Sequence, residues 1–221
     1  MNAMNTMNGK VVVKSVSEAV KEVKQNAKAS FDETVEVHIN LNLDITKADQ
    51  NIRTTIELPH GTGKEIKVAT MSAGKVSKSD LQLTESDIPK LEKGQIKPKA
   101  DFDILIVEPK FMPKLAKLGP VLGPAGVMPN PKTGTVTEDV AKAVESFKKG
   151  KVELRNEQTS PTIHTIIGKV SYSEKQLEEN LQEVLNALKQ NKPAKAKPDW
   201  IKNCYITSTM GKSVQAEVNT L

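Results

Sequence analysis

The 221-residue sequence predicts an α+β chain of two domains, the first discontinuous and interrupted by an inserted α/β domain of strands alternating with helices. Three observations predict it. Apolar residues of period two mark a half-buried strand at 35–43, and the same texture returns beyond Gly150. The middle third instead holds a short continuous apolar run, Ile104-Leu105-Ile106-Val107, of the kind covered on both faces in a parallel sheet. Glycines at 61, 63 and 150 punctuate the change of texture in each direction. The expected division is 1–61 with 151–221 for the α+β domain and 62–150 for the insertion.

Each element has a local reason. Residues 15–28 read as a helix, with Ser15 and Glu18 as a capping-box pair and Ala19, Val20, Val23 and Ala27 at helical spacing. Over 35–43, Val35, Val37, Ile39, Leu41 and Leu43 alternate with Glu36, His38, Asn40 and Asn42, so one strand face meets a core. A second strand over 53–58 is stopped by Pro59-His60-Gly61-Thr62-Gly63. Ile66 and Val68 mark a strand of the middle third, and 84–93 a short helix with Pro89 in its first turn. A further helix follows Thr137, with Val140, Val144 and Phe147 on one face and Gly150 just past its end. Strands are expected at 151–155 and 163–172. The clearest helix is 173–190, boxed by Ser173 and Gln176 and striped by Leu177, Leu181, Val184, Leu185 and Leu188. A Lys/Pro/Ala linker at 192–197 precedes a last strand at 201–209.

Composition narrows the function. Aromatics are 3% and hydrophobic residues 37%, so the core is aliphatic. No window approaches the roughly 18 apolar residues that span a bilayer, and residues 1–10 lack the apolar stretch of a secretory signal. A single cysteine, Cys204, excludes an internal disulfide and a cysteine-based zinc cluster, and fits a reducing, cytoplasmic location. The net charge of +5 makes a polyanion an acceptable partner; all but Arg53 and Arg155 of the 32 basic residues are lysine.

The search for catalytic chemistry is negative. Gly63-Lys64 and Gly211-Lys212 invite comparison with phosphate loops, but the glycine needed five positions earlier is Leu58 in one and Ile206 in the other. The 119–126 segment, Gly-Pro-Val-Leu-Gly-Pro-Ala-Gly, lacks the dinucleotide turn, and its prolines remove amides. His38, His60 and His164 are scattered without metal spacing or a carboxylate cluster, which predicts surface or turn roles. Asp101 and Asp103 read as a strand-entry turn. No nucleophile–base set emerges, so no catalytic residue, metal or cofactor is expected. The alternative kept from another class is a Rossmann-like enzyme binding a nucleotide in the insertion. The polar run 205–213, ending in hydroxyls, Gly211 and Lys212, reads by itself first as a polar strand end with a turn and second as a surface for phosphates and 2′-hydroxyls.

Several stretches become specific when taken together. They are Phe31-Asp32-Glu33-Thr34-Val35-Glu36-Val37-His38, Asp49-Gln50-Asn51-Ile52-Arg53, and Leu58-Pro59-His60-Gly61-Thr62-Gly63-Lys64. They continue with Leu122-Gly123-Pro124-Ala125-Gly126-Val127-Met128-Pro129-Asn130-Pro131-Lys132 and Gly134-Thr135-Val136. Arg155-Asn156, Ile163-His164-Thr165, Gly168-Lys169 and Thr207-Ser208-Thr209-Met210-Gly211 complete the set. In this order, from about Ser17 onward, the chain resembles the bacterial-type ribosomal protein L-one family.

The resemblance implies an RNA-binding terminal domain and a mobile Rossmann-like insertion, as in the stalk beside the tRNA exit site. Implied partners are large-subunit ribosomal RNA, exit-site tRNA, other large-subunit components and the protein's own messenger, whose translation it would repress. The implied location is the cytoplasmic ribosome. The RNA contacts implied are Phe31, Glu33, Thr34, Glu157, Gln158, Lys169, Thr207, Thr209, Met210 and Gly211. Gly61, Gly63 and Gly150 stand where the chain crosses between domains and are expected to be hinges. The chain departs from the family pattern at Ser30 and Ala125, where lysine and arginine are usual. It departs again at Glu157-Gln158, at an extra Pro161, and at Asn203 in place of a serine.

Overall fold

The computed structural model describes residues 6–7, 10–11, 13–74, 76, 78–157 and 159–218. In chain order, β1 (Thr6–Met7), β2 (Lys10–Val11), β3 (Val13–Lys14), α1 (Val16–Asn26), β4 (Thr34–Leu41) and β5 (Arg53–Glu57) come first. Then follow β6 (Val68–Met71), β7 (Leu81–Gln82), α2 (Ile88–Glu92), β8 (Ile104–Val107), α3 (Met112–Leu115), α4 (Gly119–Leu122) and α5 (Val140–Lys149). The chain finishes with β9 (Lys151–Arg155), β10 (Thr162–Lys169), α6 (Glu174–Gln190), β11 (Ile201–Ser208) and β12 (Val214–Ala216). Backbone proximity divides it into two units, Met1–Gly63 with Val152–Leu221, and Lys64–Lys151.

The first unit is built on a five-stranded sheet of order β10-β4-β11-β12-β3. All its pairings are antiparallel except β12 with β3. The alternation of β4 sends Val35, Val37, Ile39 and Leu41 inward. They join Ile163 and Ile167 of β10 and Cys204 and Ile206 of β11 in one apolar cluster. Helices α1 and α6 close it from that side with Val20, Val23, Leu177, Leu181, Val184 and Leu188. Burying each such side chain contributes about 1.5–3 kcal/mol. Both helices open on the capping boxes expected from Ser15/Glu18 and Ser173/Gln176.

Pairing of β10 with β4 slips between Ile166 and Gly168, which faces Val35 at φ +152°. A Cβ at Gly168 would lie 2.8 Å from both Leu177 and Tyr172, so only glycine lets the bulge press onto α6. The strand expected to reach residue 172 therefore ends at Lys169. A second small sheet pairs β5 with β9. There Arg53 Nε meets Glu153 Oε1 at 2.6 Å, and the buried Asn156 Oδ1 accepts the Ile52 amide at 2.8 Å.

The second unit holds the parallel sheet β7-β6-β8. Its faces are both covered, as the unbroken Ile104–Val107 run requires. Ala69, Met71, Leu105 and Val107 pack with Leu91, Leu115, Leu118 and Leu122. On the other face, Val68 and Ile106 meet Val140, Val144 and Phe147 of α5. Pro109, Pro113 and Pro120 each sit in the first turn of a short helix, which breaks 109–122 into single turns. No helix among the described residues is long and apolar enough to cross a membrane.

Candidate nucleic-acid interface

Strand register decides which loops meet. Ser208 of β11 lies opposite Val35, and Lys169 of β10 opposite Thr34, so two segments far apart in sequence converge at the start of β4. Glu33 ties them. Its Oε1 accepts the Ala29 amide at 3.0 Å and its Oε2 accepts the Met210 amide at 2.8 Å. An ionised carboxylate offers two acceptor oxygens and no donor, which suits two converging N–H groups. The Met210 amide holds this carboxyl below its ordinary value of 4.5 against the opposing effect of burial, helped by the Ala29 amide and the Ser208 hydroxyl.

Glu33, expected among the contacting residues, is 1% exposed, with its carboxylate taken up by these two amides. Thr207 is likewise buried, its hydroxyl 3.1 Å from the Ser208 carbonyl and 3.4 Å from that of Gly211.

The hydroxyl of Thr209 accepts the Thr34 amide at 3.0 Å and donates to the Thr34 carbonyl at 3.4 Å, so it extends the ladder by one step. Lys169 Nζ donates to Thr34 Oγ1 at 2.9 Å and to the Asp32 carbonyl at 3.3 Å. The Asp32 carboxylate accepts the Ser171 amide at 3.0 Å and hydroxyl at 2.8 Å, a pairing no sequence spacing signals. The Gly211 amide closes a turn on the Ser208 carbonyl at 3.1 Å, and a Cβ on Gly211 would overlap the Ser208 hydroxyl. What this framework holds outward is apolar: Phe31 is 55% exposed and Met210 74%.

Not every expected residue joins them. Glu157 is exposed at the other end of β10, its amide on the Thr162 carbonyl and its carboxylate 3.4 Å from His164. From Thr162 to Lys169 the strand covers roughly 20 Å at about 3.3 Å per residue, so Glu157 stands apart from the Phe31–Met210 cluster. Gln158 lies outside the described residues. Gly61 and Gly63 have φ of +68° and Gly150 of +118°. The backbone at 60–61 is held fast, however. Buried Asn180 accepts the His60 amide at 3.1 Å and donates to the Gly61 carbonyl at 3.0 Å, while Tyr172 Oη donates to the His60 carbonyl at 3.0 Å.

The histidines lie at the surface and in a turn, as expected, but not apart from one another. His38 and His164, 126 residues apart in sequence, face each other across β4 and β10 with Nδ1 atoms 2.6 Å apart. His60 meets Glu179. Burial, then the neighbouring His164, lowers the His38 pKa against an opposing effect of Glu36. No group of three or more His, Cys, Asp or Glu side chains among the described residues is arranged to hold a metal ion.

The model of the ribosomal protein L1p/L10e family matches residues 12–212. The chain belongs to that family. It is 47% identical to the large ribosomal subunit protein uL1 of Prochlorococcus marinus strain MIT 9515, over 92% of this chain and 87% of that one. The uL1 protein of Synechococcus sp. strain WH7803 is 46% identical with the same coverage. That of Prochlorococcus marinus strain NATL1A is 45% identical over 99% of this chain and 94% of its own. The L1p/L10e family is structural and not enzymatic, which sets aside the nucleotide-binding enzyme. Within this L1p/L10e chain, Ala125 packs against the apolar core of the second unit. Asn203 Oδ1 accepts from Gln215 at 3.1 Å.

Proposed function

We propose that this chain is a structural constituent of the large ribosomal subunit and binds large-subunit ribosomal RNA at the stalk through the surface around Phe31 and Met210. The observation that carries the reading is their exposure on two loops locked together by Glu33 and Thr209. A flat apolar side chain held in water gains about 1–3 kcal/mol when a base stacks on it. Lys169 occupies one acceptor site of the Thr34 hydroxyl and leaves its O–H free to donate to a 2′-hydroxyl or phosphate. The outward side chains are apolar and hydroxyl-bearing, so recognition rests on shape.

The first unit holds the RNA, and the second, entered after Gly63 and left before Val152, moves with the deacylated tRNA as it leaves the exit site. Because Asn180 and Tyr172 fix 60–61, the pivots lie just beyond Gly63 and at Gly150. An RNA of the same shape in the protein's own messenger would compete for the patch and repress translation. Filter binding tests the reading with a stalk-segment RNA against an unrelated duplex across a salt series. The stalk RNA is bound preferentially with a log–log slope equivalent to about three to six phosphate contacts, at roughly −0.7 to −0.9 each. Equal affinity for both RNAs with a steep slope refutes it.

A further inference from the structure

The open face of the five-stranded sheet carries a second constellation, apart from the Phe31–Met210 patch. Glu36, His38, His164 and Glu157 stand in one line there. Glu36 Oε2 is 3.9 Å from His38 Nε2, the two Nδ1 atoms are 2.6 Å apart, and His164 Nε2 is 3.4 Å from Glu157 Oε1. Each outer ring nitrogen has a carboxylate within 4 Å, which favours a proton on that side and leaves the two Nδ1 atoms facing each other. The two Nδ1 atoms thus converge on one point, close enough that a proton or a cation between them holds the pair. A single shared proton suffices, and so does a metal ion.

We propose that His38 and His164 form a bidentate site for an imidazole-preferring divalent transition-metal ion of the zinc class, with Glu36 and Glu157 orienting the rings. Cross-strand register places the two residues directly opposite, with side-chain exposures of 28% and 44%, so water can fill the remaining positions. The rings lie 4.8 Å apart at 64°. Zinc–nitrogen bonds of about 2.0–2.1 Å ask for nitrogens roughly 2.9–3.4 Å apart. Rotating two half-exposed side chains opens the pair by less than about 1 Å, which leaves the sheet untouched. Neutral imidazole prefers Zn²⁺, Cu²⁺ and Ni²⁺ to Mg²⁺ and Ca²⁺, and the site supplies no oxygen cage for the latter.

The test is calorimetric titration of Zn²⁺ into the full chain, paired with ring-nitrogen NMR of the histidines. One equivalent is expected to shift the Nδ1 resonances of His38 and His164 together and leave His60 unchanged. His38→Gln and His164→Gln each weaken binding at least tenfold, Glu157→Gln weakens it less, and His60→Gln does not alter it. All four positions are at least partly solvent-exposed, and circular dichroism verifies folding. Absence of Zn²⁺ binding, a response of His60 equal to that of the pair, or wild-type affinity in His38→Gln overturns the proposal and leaves a proton-sharing pair.

Discussion

Replacing Glu33 by glutamine separates positioning from contact at the RNA surface. The carboxylate accepts one amide on each oxygen, at 3.0 and 2.8 Å. Glutamine has one carbonyl oxygen, so its NH₂ must face either the Ala29 or the Met210 amide, donor against donor. One buried amide left unpaired costs about 1–3 kcal/mol, and the other bond falls from charge-assisted to neutral strength, about 1 kcal/mol more. The variant is therefore expected to lose about 2–4 kcal/mol, which leaves a domain of ordinary stability folded. The freed 209–211 loop must then be reordered by RNA, so affinity for stalk RNA falls at least tenfold, or about 1.4 kcal/mol. Urea unfolding and filter binding on the same preparations measure both. Because the folded pKa lies below 4.5, the Glu33 contribution is whole above that value and is lost progressively as pH falls from there through the lower folded pKa. The stability gap between wild type and variant narrows accordingly in acid. A variant that loses stability yet binds stalk RNA within twofold of wild type refutes the positioning argument.

Thr209→Val leaves the Thr34 amide without its side-chain acceptor and is expected to weaken stalk-RNA binding more than Lys212→Ala, whose exposed charge is screened; a reversed order in filter binding rejects it. Asn180→Asp sets carboxylate oxygens against the Gly61 and Ile167 carbonyls that Nδ2 now donates to at 3.0 and 2.7 Å, so urea denaturation should register a loss of about 3 kcal/mol or more. Burial pushes the Cys204 thiol up to about 12, so its reaction with a disulfide reagent at neutral pH should track global unfolding and accelerate only in denaturant. Deleting 64–151 behind a short linker should preserve stalk-RNA affinity within about tenfold, or roughly 1.4 kcal/mol; a folded deletion without specific binding places the RNA site elsewhere.

Periodicity and caps made most elements legible. The alternation from Val35 to Leu41, the Ser15 and Ser173 boxes and the leucine stripe of α6 each follow from local chemistry, and the structure realises them. Two- and three-residue strands such as β3, β7 and β12 carry no period, since neighbouring strands alone define them. At the candidate interface, motif resemblance is what singles out Phe31, Thr34, Thr209 and Met210. The inward turn of Glu33 was invisible because its partners, Ala29 and Met210, are assembled by strand register. The same register brings His38 to His164, and no sequence spacing could announce it.

Sheet order has a consequence during synthesis. Strand β4 emerges early, yet both of its neighbours, β10 and β11, lie beyond residue 161. At about 5–20 residues per second, its two edges wait roughly 6–30 s on the translating ribosome. Meanwhile the β7-β6-β8 sheet, complete by Val107, has every strand it needs. The nascent chain therefore acquires its middle before its ends, with an apolar strand left open to neighbouring chains in the interval.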